Sequence, residues 1–191
     1  MTNATNLDFN DAGDQRSFDV IPANTVCTLH LTIRPGGTGD GGWLKRSADG
    51  ASQGLDCEFT VVDGTYAKRK IWQLFTLAGT KQGHGEAGEI SRKTLRAILE
   101  AARGIRPDDK SEAAQAARTV AAWADFDGLR FLARIGVSPP HDNYPAKNTL
   151  MEVLTPDRQA WKKIEQVAKP AATSADTTAT APPVGAIARP R

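Results

Sequence analysis

Cysteine occurs only twice in the 191 residues, at Cys27 and Cys57, and histidine only three times, at His30, His84 and His141. Zinc sites and disulfide frameworks need these residue types in clusters at short spacing, and the two cysteines stand far outside C-x-x-C distance. No metal site is expected. Both cysteines fall on the apolar side of an alternating run and read as buried small hydrophobes. The chain also lacks an apolar run of bilayer-spanning length. Its opening, "MTNATNLDFND", is polar and acidic rather than built like a secretory leader. A soluble, cytoplasmic protein without a membrane partner is the expectation. G-x-S-x-G and H-E-x-x-H are absent, and the histidines are scattered, so no catalytic set emerges and neither an enzyme nor a cofactor is expected. Net charge is only +2. A polyanionic partner therefore has to be argued from where the charges sit.

The residues that are present organise the chain clearly. "TVCTLHLTI" (25–33) alternates, with Cys27, Leu29, Leu31 and Ile33 on one side and Thr28, His30, Thr32 and Arg34 on the other. Period two with β-branched residues makes a strand with one buried face. "LDCEFTVVD" sets Leu55, Cys57, Phe59 and Val61 against Asp56, Glu58 and Thr60. "RKIWQLFTL" sets Ile71, Phe75 and Leu77 against Lys70, Trp72, Leu74 and Thr76. The short connection after Asp63-Gly64 makes these two strands a hairpin. A helix follows, with Ser91 as its expected N-cap, Ile90 and Leu95 as a hydrophobic staple, and Gly104 as its end. Ser111 caps a second, alanine-rich helix whose stripe includes Ala113, Ala116, Val120 and Trp123. "GLRFLARIGV" and "TLMEVLT" are the last two strands, with Arg130 and Arg134 pointing outward on the former. Between them "PPHDNYPAKN" is a turn-rich loop containing Lys147. Thr155-Pro156 opens a short helix carrying Trp161 and Ile164. From Lys169 the chain has no periodicity and much Ala, Thr and Pro, which reads as a disordered tail. The expected organisation is a domain over 1–168 and a tail over 169–191.

Three strands, a helix pair and two strands make a mainly β fold. A five-stranded Greek-key barrel with its helix between strands three and four is the OB-fold, and that is the architecture expected. An open α+β sheet is the alternative.

"GGTGDGG" (36–42) contains a G-x-G-x-x-G match. A dinucleotide cradle requires a helix directly after the turn. "WLKRSADGASQG" supplies more glycine and serine and no apolar stripe, so the cradle is set aside. What remains is a long mobile connection bearing Trp43, Lys45 and Arg46. An aromatic beside cations is the pairing that single strands require, since every base has a π-face and every linkage a charge. "YAKRKIW" interleaves Tyr66, Lys68, Arg69, Lys70 and Trp72 in the same way. With Arg34, Arg130, Arg134 and Lys147 these residues form the candidate nucleic-acid surface.

The order of these motifs resembles a family of phage-encoded single-stranded DNA-binding proteins, long filed as a domain of unknown function. "VIPANTVCTLHLTI", "FTVVDGTYAKRKIWQLFTL", "DGLRFLARIGV" and "YPAKNTLMEVLTP" carry the resemblance, which covers most of Leu7 to Pro156. Here Ala67-Lys68 stands where a glycine is common in that family before the arginine, Arg69. The resemblance implies an OB-like fold and sequence-nonspecific binding of single-stranded DNA in replication or recombination, in the cytoplasm of a bacterial host. Phage replication or recombination proteins are the implied partners. Oligomeric state is left open, a homodimer included. A protein-interaction adaptor on the same barrel, or a small sugar-binding or enzymatic module, are the rival expectations. Steep salt dependence separates nucleic-acid binding from the adaptor and sugar-binding rivals.

Overall fold

The structure is a computed structural model that describes residues 10–14 and 19–161. Six strands form one antiparallel sheet: β1 (Val26–Ile33), β2 (Lys45–Arg46), β3 (Ser52–Val61), β4 (Lys70–Gly79), β5 (Arg130–Ser138) and β6 (Lys147–Val153). Two helices, α1 (His84–Arg103) and α2 (Glu112–Arg118), lie between β4 and β5. No helix among the described residues is long and apolar enough to cross a membrane.

The alternating pattern decides which face is buried. Leu29, Leu31, Leu55, Cys57, Phe59, Ile71, Phe75, Phe131 and Ile135 are all withdrawn from solvent, one from every second strand position. Phe59 sits at the centre, edge-on to Phe75 at 6.2 Å and to Phe131 at 5.8 Å. Edge-to-face packing suits the ring quadrupole and adds to the area that each ring buries. Helix α1 closes this core with Leu95, Ile98 and Leu99.

Strand β3 is the hub. β4 pairs along one side of it, while β1 and β2 share the other end to end: β1 faces Cys57–Val61, and β2 faces Gln53 and Gly54. β1 pairs in turn with β5, and β5 with β6. No ladder joins β4 to β6, so the sheet stays open there and the closed barrel is not reached in hydrogen bonding. Register shifts at Gln53/Gly54 and at Arg134/Ile135 are bulges, which bend their strands and raise local twist.

The helices depart from expectation at their starts. α1 begins at His84, a full two turns before Ser91, which lies buried inside it rather than capping it. Lys81 N–H donates to the His84 imidazole, so the turn is closed by that side chain instead. Gly104 ends the helix as expected. Ser111 does cap α2, accepting from Ala114 N–H at 3.2 Å. α2 stops at Arg118, and Trp123 belongs to a separate 3-10 turn stacked on Phe126, so the expected stripe from Ala113 to Trp123 is broken at Thr119. The C-terminal helix is described only over Gln159–Trp161. The rest of it, and the tail, lie outside the described residues.

Candidate nucleic-acid interface

The glycine loop is not a free tether. Thr38 and Leu44 bridge through paired backbone hydrogen bonds of 3.0 and 2.9 Å, and the Thr38 hydroxyl donates to Leu44 O. β2 then docks on β3, and Ser47, Asp49 and Ser52 tie the turn that follows. The docking needs Gly36: a Cβ there would lie 2.4 Å from Lys45 Cα. Gly41, at φ 65°, makes room for the indole of Trp43, which would meet a Cβ at 2.8 Å. Trp43 is half-buried and packs against the core, and Leu44 is buried. The expected mobile loop with an exposed Trp43 is therefore an ordered hairpin that covers one end of the sheet. Gly36, Gly39 and Gly41 serve close packing and Gly37 and Gly42 a left-handed backbone, with no α-helix directly after them to complete a phosphate cradle.

The exposed aromatic lies elsewhere, on the outer face of β3 and β4. Trp72 is 54% exposed and Leu74 52%. In the β3–β4 ladder Trp72 stands opposite Glu58, Leu74 opposite Asp56, and Lys70 opposite Thr60. Period two puts Lys70, Trp72 and Leu74 on one side, and the core positions Ile71 and Phe75 fix which side that is. Lys45 reaches over from β2 to Asp56 at 3.0 Å, and Arg34, at the end of β1, lies 4.0 Å from the same carboxylate oxygen. Further along, His30 on β1 stands between Thr60 and Arg130, so Lys70, Thr60, His30 and Arg130 form one row across four strands.

Thus Arg34, Lys45, Lys70, Trp72 and Arg130 come together on one face. Arg46 is exposed at the edge, lining a shallow hollow with Gly50–Gln53 and Ala78–Thr80. Tyr66 packs against the core from the β3–β4 turn, which leaves it little free surface for stacking. Arg69 donates to Asp19 O at 2.6 Å. Lys68 is exposed and holds φ 69°, the left-handed region. Arg134 lies four residues, about 13 Å, along β5 from Arg130. There it donates to Glu152 at 3.2 Å, well apart from the Trp72 row. Lys147 stands at the start of β6, beside the loop that exposes Tyr144.

Two carboxylates complete this face, and neither was among the candidates. Glu58 accepts from Lys70 Nζ at 2.6 Å through Oε1 and from Trp72 Nε1 at 3.0 Å through Oε2. The Lys70 ammonium holds the Glu58 carboxyl below its usual range, against the opposing effect of partial burial, and the Trp72 hydrogen bond adds to it. Asp56 accepts from Lys45 Nζ at 3.0 Å through Oδ2, and the Arg34 guanidinium lies 4.0 Å from that oxygen, an ion pair without a hydrogen bond. The signal was in the alternation: Asp56, Glu58 and Thr60 share the outward side, and the short hairpin fixes their register against Lys70 and Trp72. Leu74 was equally legible by that rule. By contrast Cys57, beneath this face, is inert: burial pushes its thiol up to about 12, and the charges of Asp56 and Asp127 add to the shift.

Charge on the face therefore favours anions by a narrow margin, with Arg34, Lys45, Lys70 and Arg130 against Asp56, Glu58 and the adjoining Asp127. An exposed indole with an aliphatic neighbour offers a stacking platform, and the surrounding ammonium and guanidinium groups offer phosphate contacts. No model of a known protein family matches the chain, and no curated protein sequence matches it.

Proposed function

We propose that this protein binds single-stranded DNA without base specificity, through the outer face of β3 and β4 and the hairpin that contains β2. The observation that carries the reading is Trp72: a large aromatic left 54% exposed within strand β4, with Lys70 beside it on Glu58 and with Arg34 and Lys45 on the adjacent Asp56. Burying such a ring is worth roughly 1.5–3 kcal/mol. A strand that stacks a base on it recovers part of that, and the cations release counterions as phosphates replace them.

An OB-like barrel is the architecture proposed for the sheet. The pairings β1–β3, β3–β4, β1–β5 and β5–β6 support it, with α1 between β4 and β5. With β2 counted as part of the first loop, only the β4–β6 seam lacks a ladder. OB-folds bind oligonucleotides on the equivalent of the β3–β4 face and the loops beside it. A role in phage replication or recombination, in the cytoplasm of a bacterial host, rests on the family resemblance of the sequence motifs.

Titration with oligo-dT at several salt concentrations, followed by tryptophan fluorescence, tests the reading. Three to six phosphate contacts at a slope of about −0.7 each give a log–log slope of roughly −2 to −4. Duplex DNA of the same length should compete weakly. Leu74, exposed beside Trp72, favours the rival of a protein-docking adaptor. A flat salt plot would select that rival and remove the DNA reading.

A further inference from the structure

Glu58 sits where a nucleic-acid ligand should find no negative charge. It stands in the middle of the proposed face, opposite Trp72 on one side and Thr32 on the other. Directly opposed residues of an antiparallel pair have Cβ atoms about 4.5–5.5 Å apart, so the carboxylate meets the indole N–H without leaving the sheet surface. An ionised carboxylate only accepts, through two oxygens, and here each oxygen is committed to a different donor. The donors differ in kind. Lys70 has three N–H groups on a flexible stem and is 48% exposed, so it can exchange one acceptor for another. The indole has a single N–H and no second partner among the described residues.

We propose that Glu58 is the positioning residue for Trp72 and, at the same time, the internal rival of the phosphate for Lys70. This rests on the single-strand-binding reading above. In the empty protein both donors are held on Glu58, so the stacking ring and its neighbouring cation are already ordered. On binding, a backbone phosphate takes the Lys70 ammonium from Oε1, while Oε2 keeps the nitrogen edge of the indole on the sheet and leaves the rest of the ring to a base. The cost is one ion pair given up for each strand bound. Glu58 thereby sets how tightly Lys70 grips the backbone, and Trp72 depends on it for orientation.

The test compares two substitutions that remove the same charge. Glu58→Gln keeps an amide oxygen for the indole N–H, whereas Glu58→Ala keeps nothing. Both are assayed with oligo-dT across a salt series, beside the wild type and the same pair made in a Lys70→Ala background. Glu58→Gln should bind about two- to fivefold tighter, the worth of one partly exposed ion pair. Lys70 reaches a phosphate in the wild type and in Glu58→Gln alike, so the salt slope should change by less than about 0.7, one contact, while the gain in affinity should vanish with Lys70→Ala. Glu58→Ala should bind about two- to tenfold more weakly than Glu58→Gln, the worth of one hydrogen bond. Without DNA, the part of the emission spectrum lost on Trp72→Phe should be unchanged in Glu58→Gln and altered in Glu58→Ala. Equal binding by the two variants overturns the positioning role, and a Glu58→Gln affinity gain that is absent, or that persists in full with Lys70→Ala, overturns the rivalry for Lys70. In either case a clearly negative wild-type slope leaves the DNA reading standing. A flat wild-type slope removes both.

Discussion

Arg118 Nε donates to the Glu100 carboxylate at 2.6 Å, and the Glu100 side chain is only 4% exposed. The same oxygen accepts from Arg96 Nε at 2.8 Å. The rest of the Arg118 guanidinium donates to Asp109 O at 2.7 Å and Arg106 O at 2.8 Å. One planar fork thus ties α2 and the loop before it to α1. Helix α2 is too short to be stable alone, so this latch and its capping serine hold it in place.

Arg118→Ala should therefore destabilise the fold by about 1.5–3 kcal/mol, because it removes the more deeply buried of the two guanidinium groups on Glu100 and leaves only Arg96 to hold that carboxylate. Arg118→Lys should recover little of this, since a point charge cannot serve three acceptors in one plane. Denaturant unfolding measures both. A loss under about 1 kcal/mol for Arg118→Ala would show that the pair is replaceable by water.

The two tryptophans of the candidate face should separate stability from binding. Trp43 packs against the core through the ordered hairpin, so Trp43→Ala should cost about 1–3 kcal/mol of stability. Trp72 is 54% exposed and its main tie is one hydrogen bond to Glu58, so Trp72→Ala should cost only about 0.5–1.5 kcal/mol. Binding should show the reverse order, with Trp72→Ala losing roughly 1–3 kcal/mol of oligo-dT affinity. Thermal melts and fluorescence titrations of both variants decide it. If Trp43→Ala alone abolishes binding in a protein that remains folded, the contact surface lies on the hairpin instead.

The difference between these residues shows what the sequence carried and what it did not. Alternation along β1, β3, β4 and β5 set the buried and outward sides correctly, because every second residue must face the same layer. It also placed Trp72 and Lys70 together. Trp43 lies in a segment without period, where its burial depends on Gly41 making room for the ring and on β2 finding β3. Those are contacts between residues distant along the chain. The start of α1 was hidden for a related reason: "HGEAGE" has two glycines and little apolar signal, and its helicity follows from packing on β4. The pairing of cations with Asp56 and Glu58 required two facts together, the outward side of β3 and the hairpin register.

Lys68 gives a third prediction. Its φ of 69° lies in the region that L side chains avoid. Lys68 N–H donates to Val61 O at 2.8 Å, so the turn is fixed by the ladder and not by the residue's own preference. The left-handed region costs a non-glycine residue roughly 1–2 kcal/mol. Glycine removes that strain, although its freedom in the unfolded chain returns part of the gain. Lys68→Gly should therefore raise stability by about 0.5–1 kcal/mol in denaturant unfolding. Lys68→Val, with a β-branched side chain at the same angle, should lower it. A destabilised Lys68→Gly would mean that the lysine makes a contact worth more than its strain.

Acid should loosen the Trp72 site before it unfolds the protein. Glu58 is held below its ordinary value by the Lys70 ammonium, with Trp72 and Arg34 contributing in the same direction. A carboxyl depressed in the folded state contributes stability that is fully present above its unfolded value, about 4.3. That contribution is lost as pH falls below 4.3 and through the lower folded value. At neutral pH the Glu58–Lys70–Trp72 arrangement is intact. In acid the protonated carboxyl no longer holds Lys70 as a charge, and the indole loses a charge-assisted acceptor. Trp72 emission should then shift in a transition that begins below pH ~4.3, ahead of any loss of far-ultraviolet circular dichroism. Glu58→Gln should abolish that transition and leave the global acid unfolding in place, and Trp72→Phe should remove its optical signal. A wild-type shift that persists unchanged in Glu58→Gln would assign the titration to another group and detach the indole from Glu58.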